Sequence, residues 1–183
     1  MSFDTEGQWR EWLSKNCVSS NGIQLRIFKK NSGHKSISYD EALDEALCFG
    51  WIDSQKNKYD EISWIQKFTP RRKNSIWSKR NREHVARLIK AQRMTPAGLK
   101  EVEAAKNNGR WDSAYDSSKN MKIPLDFLRE LKKNKKSYVF FQTLNKSNIY
   151  AISWRLATAK KTETREKRMR KILEMLAQEE KFH

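Results

Sequence analysis

The chain has 183 residues, with 38 Lys/Arg against 22 Asp/Glu for a net charge of +16, which is enough for one domain or two small ones. Only 37% is hydrophobic, yet seven Trp, eight Phe and five Tyr supply the apolar surface of a core, which excludes a wholly disordered chain. No run approaches the ~20 apolar residues of a membrane span, MSFDTEGQWREWL lacks the pattern of a secretory signal, and Cys17 and Cys48 are too few for a disulfide framework, so a reduced, cytoplasmic protein without membrane insertion is expected.

Thr5-Glu6-Gly7-Gln8 has the spacing of a capping box, and Trp9, Trp12 and Leu13 then share one helical face. Ser20-Asn21-Gly22 signals a turn before Ile23, Leu25 and Ile27 alternate with polar residues, the pattern of a half-buried strand. Ser38 to Glu41 is a second capping box with Ile37 as its staple. Ala42, Leu43, Ala46 and Leu47 form the buried stripe of the helix that follows. Gly50 stops that helix, and Trp51-Ile52 opens a strand. Lys56 to Asp60 is polar and turn-like, and Ile62 to Phe68 returns as the second arm of a hairpin, closed by Pro70.

Residues 71–75 form a basic loop. A helix starting near Ser78 turns Val85, Leu88 and Ile89 inward. Thr95-Pro96 starts the next helix, with Leu99 and Val102 facing in, and Asn107-Asn108-Gly109 ends it. The stretch 113–123, with Ser113, Ser117 and Ser118, reads as a linker. Beyond it the pattern is helical throughout. Phe127, Leu128 and Leu131 mark the first helix, Tyr138, Phe140 and Phe141 the second, and Ile149, Ile152 and Leu156 the third. Met169, Ile172, Leu173 and Leu176 give the last an i, i+3, i+4, i+7 stripe. The expected fold is α+β: a small antiparallel sheet packed by helices over 1–112, then an all-helical C-terminal module over 124–183.

Charge is concentrated. Residues 67–93 carry ten Lys/Arg and one acid, and residues 155–171 carry eight against two. Such clusters mark contact with phosphate or nucleic acid, or else a solvated face. In the basic loop, Arg71, Arg72 and Lys73 are candidate ligands for an anion, because guanidinium groups form planar forks that match phosphate and carboxylate. Phe68 and Trp77 flank the loop and could stack on a planar ligand. Trp51 could wall the same cleft, and Asp53 could bind a cation or pair with Arg71 or Arg72. The competing reading makes these aromatics core and Asp53 a structural ion pair. Arg71, Arg72, Lys73, Arg165 and Arg168 are the candidates for nucleic-acid contact.

Cys48 as a nucleophile would need a base and a lowered thiol pKa, whereas its apolar neighbours raise that pKa and favour an inert, buried thiol. No catalytic residue can be assigned. No His/Cys/Asp/Glu cluster has metal-ligand spacing, and no glycine-rich loop marks a phosphate cofactor, so neither metal nor cofactor is expected.

Four stretches, SYDEALDEALCFGWIDSQ, FTPRRKNSIWSKRN, MTPAGLKEVEAAKNNGRW and ISWRLATAKKTETREKRMRKIL, together resemble the YdeI/OmpD-associated, or bacteriocin-protection, family. The AKKTETREKRMRKI segment is similar to the hallmark of that family's helical module. The resemblance implies a bacterial stress- or bacteriocin-resistance role and names no reaction. The function expected is therefore a non-enzymatic protein binding a partner or small anionic ligand. The alternatives are nucleic-acid binding through 67–93 and 155–171, or an enzyme with Asp53 and Arg71/Arg72 in a cleft.

Overall fold

The computed structural model describes residues 1–117 and 120–183, so Ser118 of the expected linker lies outside the described residues. The chain divides into two compact units, Met1–Ala114 and Tyr115–His183. Among the described residues, no helix is long and apolar enough to cross a membrane.

The first unit is α+β. Its elements are α1 (Glu6–Asn16), β1 (Ile23–Phe28), α2 (Tyr39–Cys48), β2 (Trp51–Lys58), β3 (Ser63–Pro70), α3 (Lys79–Lys90) and α4 (Pro96–Asn107). The strands form an antiparallel sheet in the order β1-β3-β2, with Ile27 opposite Trp64 and Trp51 opposite Pro70. The polar stretch Lys56–Lys58 belongs to β2 and not to the turn. It pairs with Trp64–Gln66 after a register shift between Asp53 and Lys56, and as an exposed edge it needs no apolar side chains.

Local chemistry places the helices. Thr5, Ser38, Ser78 and Thr95 each cap a helix by accepting a hydrogen bond from a first-turn amide, and Ser38 and Glu41 complete a reciprocal box. Gly50 has φ +76°, a left-handed conformation that turns the chain from α2 into β2. Gly98 serves packing instead. An added Cβ there would stand 2.2 Å from the Cys48 carbonyl oxygen, so only glycine lets α4 approach the end of α2 so closely.

Trp9, Leu25, Ile27, Leu43, Leu47, Trp51, Phe68 and Trp77 are buried in one core. Two helical positions expected to face inward point outward: Ile89 is 43% and Leu99 41% exposed. Val85 and Leu88 on α3, and Val102 and Ala105 on α4, already fill the buried stripes of these helices. One further apolar residue per helix therefore falls outside the inward arc.

The second unit is helical: α5 (Leu125–Lys132), α6 (Lys135–Gln142), α7 (Lys146–Ala157) and α8 (Thr162–Ala177). Its separate core joins Phe127, Leu131, Phe141, Leu144, Ile152, Leu156, Ile172 and Leu176. The chain leaves α8 through Glu179, at φ +59°, while Glu180 N–H donates to the Met175 carbonyl at 2.8 Å. This left-handed cap reverses the backbone and sends residues 180–183 back to α7.

Candidate functional site

The dense basic run 67–93 is largely committed within its own unit. Arg93 reaches both Glu6 and Glu45, and Arg10 donates to Glu45 at 2.7 Å, so a carboxylate only 1% exposed meets two guanidinium groups. Arg87 donates to both oxygens of Asp44 (2.6 and 2.8 Å), and His84 Nδ1 lies 2.6 Å from the same carboxylate. Burial opposes ionisation of Asp44, yet its hydrogen bonds to Arg87 and His84 hold the carboxyl below its ordinary range. Arg80 pairs with Asp40 at 2.6 Å, and Arg82 donates to the Trp111 carbonyl at 2.9 Å.

Arg71 is buried, with its guanidinium 3.5 Å from the Trp77 ring centroid and Nη1 donating to the Ile76 carbonyl at 3.3 Å. Arg72 and Lys73 remain exposed on a tight turn in which the Arg72 amide donates to Ser75 Oγ at 2.8 Å. Phe68 and Trp51 lie in the core: Phe68 packs on Trp9, and the Trp51 indole donates to the Cys17 carbonyl at 3.1 Å. Trp77 packs edge-on against Trp111. Asp53 stands opposite Phe68 in the ladder and accepts a hydrogen bond from the Tyr39 hydroxyl at 2.8 Å, while the Arg71 amide bonds to Gly50. Burial, reinforced by Asp53, pushes the Tyr39 phenol well above its usual range. Within the loop the structure thus brings Arg71 to Trp77 and leaves Arg72 and Lys73 to solvent, with Trp51, Asp53 and Phe68 elsewhere.

Cys48 is buried, and burial pushes its thiol up to about 11, so it stays protonated and inert at neutral pH. Among the described residues, no group of three or more His, Cys, Asp or Glu side chains could hold a metal ion.

The second unit carries a larger concave feature. A groove of about 1070 Å³ runs along α7, lined by Tyr150 and Trp154 with Lys146 and Arg155 among its walls, and His183 also faces it. No Asp or Glu among the described residues lines it. Trp154 and Arg155 continue into a smaller recess of about 340 Å³ that includes Phe182 and Lys171. Burial raises the Tyr150 phenol, with Tyr115 adding to the effect, so this residue remains a neutral hydrogen-bonding wall. Arg165 and Arg168 serve the scaffold. Arg165 forms a two-pronged pair with Asp126 (2.6 and 3.0 Å), and Arg168 donates to the Arg155 carbonyl at 2.7 Å.

The groove residues 145–155 fall inside a segment, 120–179, that matches the family model described as Bacteriocin-protection, YdeI or OmpD-Associated. That segment is similar to the family. Residues 1–101 match a different model, a domain of unknown function (DUF8412). The motifs at 38–55 and 68–81 therefore sit in a part of the chain that the bacteriocin-protection model does not cover. No curated protein and no solved structure matches the chain.

The sequence reading passed over the groove because α7 carries no run of charge. A signal was present nonetheless. Lys146, Tyr150 and Trp154 recur at i, i+4 and i+8, one face of a helix whose Ile152 and Leu156 fill the opposite, buried face. A polar-aromatic stripe opposite an apolar one is a second face that the core does not use.

Proposed function

We propose that the chain is a non-enzymatic protein of the bacteriocin- or stress-resistance type that binds an anionic ligand or partner through the α7 groove. The observation that carries this reading is the groove's composition: two aromatic walls with Lys146 and Arg155, and no lining Asp or Glu side chain among the described residues, in the segment that matches the family. Flat aromatic walls suit a planar apolar body, and fixed cations suit an acid group at its edge. Calorimetric titration with naphthalene-2-carboxylate tests it. Binding should weaken roughly tenfold in Arg155→Gln, as expected for one lost charge-assisted hydrogen bond. Equal heats for parent and variant would sink the reading.

A second reading, nucleic-acid contact, is favoured by one specific feature: Arg72 and Lys73 stand exposed side by side on a turn fixed by Ser75. Contacts of this kind neutralise backbone phosphates, so binding of this type falls steeply with salt.

A further inference from the structure

One segment of the chain already lies on α7. Asn148, 1% exposed, turns its carboxamide to the backbone of residues 182 and 183. Its Oδ1 accepts from Phe182 N at 2.9 Å and from His183 N at 3.2 Å, and its Nδ2 donates to a main-chain oxygen of His183 at 3.3 Å. Asn145 Oδ1 accepts from the same Nδ2 at 2.9 Å and fixes the amide's orientation. These three bonds engage only main-chain atoms, so they would hold any extended peptide whatever its side chains. The main side-chain anchor is Phe182, whose ring lies under the Arg155 guanidinium at 4.0 Å, with the Lys181 ammonium a looser 6.0 Å from the Phe140 ring.

The groove of about 1070 Å³ and the recess of about 340 Å³ meet at Trp154 and Arg155, and Phe182 and His183 take up only the region around that junction. Lys181 and His183 on either side of the anchor are exposed. A segment lying along the rest of these walls would meet Lys146 and Lys171 and would gain most from acidic residues flanking the anchor.

We propose that α7 carries a peptide-binding groove for an extended acidic segment with a single aromatic anchor, and that residues 180–183 occupy it in cis until such a segment displaces them. The proposal rests on the groove being the binding site and adds the kind of partner it takes. A tethered occupant competes at an effective concentration in the millimolar range. The apparent affinity for an incoming peptide is therefore reduced by the fraction of molecules in which the groove is open.

The test is fluorescence anisotropy with a labelled, end-blocked peptide of sequence EEKFHEE and its twin with alanine in place of phenylalanine. It uses the full chain and its Phe182→Ala variant. Removing the cis anchor should tighten binding of EEKFHEE by roughly tenfold or more, and the alanine twin should bind at least tenfold more weakly. In the unmutated chain, saturating peptide should speed amide hydrogen exchange at Phe182 and His183, which reports displacement without any substitution. Failure of EEKFHEE to bind the variant, equal affinity for both peptides, or unchanged exchange would overturn the proposal. If naphthalene-2-carboxylate still binds in those cases, the groove survives as a small-ligand site. If neither binds, both readings fall.

Discussion

The two units treat similar concentrations of basic residues differently. In the first, Arg87 and Arg93 of the run 67–93 reach acids that are themselves buried: Glu45 takes Arg93 together with Arg10, and Asp44 takes Arg87 together with the His84 imidazole. In the second, the Arg165–Asp126 pair is half open to water, and Lys146 and Arg155 stand in a groove that no Asp or Glu side chain among the described residues lines. Density of charge along the sequence is thus a poor guide to where a protein presents charge. What decides is whether a carboxylate is buried opposite each cation, which no count of Lys and Arg contains.

The contrast is broken most directly by removing one acid from each unit. Glu45→Ala takes the buried acid away from the part-exposed Arg10 and Arg93 guanidinium groups and should destabilise the first unit by about 1–3 kcal/mol. Asp126→Ala, across a pair whose side chains are 29% and 41% exposed, should cost below about 1 kcal/mol. Urea melts of the two variants would settle it, and similar shifts would erase the distinction. Trp51→Ala should cost more than the Glu45 change, about 3–5 kcal/mol, because the side chain is a fully packed core element. A parent-like melt would instead make Trp51 a dispensable wall.

Acid titration sharpens the same comparison. Because the folded carboxyl of Asp44 is depressed, its contribution is complete above the unfolded value near ~4 and is lost as pH falls through the folded value. Asp44→Asn should flatten that part of the stability curve while lowering its plateau at neutral pH. An unchanged acid limb would show that the Arg87–His84 cluster contributes nothing. A smaller effect is expected at the thiols: a disulfide reagent at pH 8 should label half-buried Cys17 well before Cys48. The smallest concerns the exposed loop. If nucleic acid contacts it, neutralising Arg72 and Lys73 together should reduce the salt slope of oligonucleotide binding by about two, one per lost contact. A slope identical to the parent's would remove the loop from any such interface.

Local signals carried most of the fold. The caps at Thr5, Ser38, Ser78 and Thr95, the alternation in β1 and the heptad-like stripe of α8 all depend on neighbours within one turn or one strand, and the sequence displays them. β2 continued past its expected end because a ladder bond to β3, and not its own side chains, keeps Lys56–Lys58 extended. The candidate site was less legible for a related reason. Arg71, Trp51 and Phe68 look like binding groups when read along the chain, but the tertiary packing that buries them is set by residues far away in sequence. Asn148 was silent until its amide could be seen against residues 34 and 35 positions downstream.

Gly98 has a consequence for this chain's freedom to vary. The Cys48 carbonyl that excludes a Cβ there also accepts the Thr95 amide and hydroxyl, so one backbone oxygen at the end of α2 fixes both the cap and the entry of α4. In a saturation library of this chain, position 98 should accept a single letter while its neighbours Ala97 and Leu99, both facing solvent, accept many. The α2–α4 joint is a place where the sequence can drift on either side but cannot drift at the contact itself.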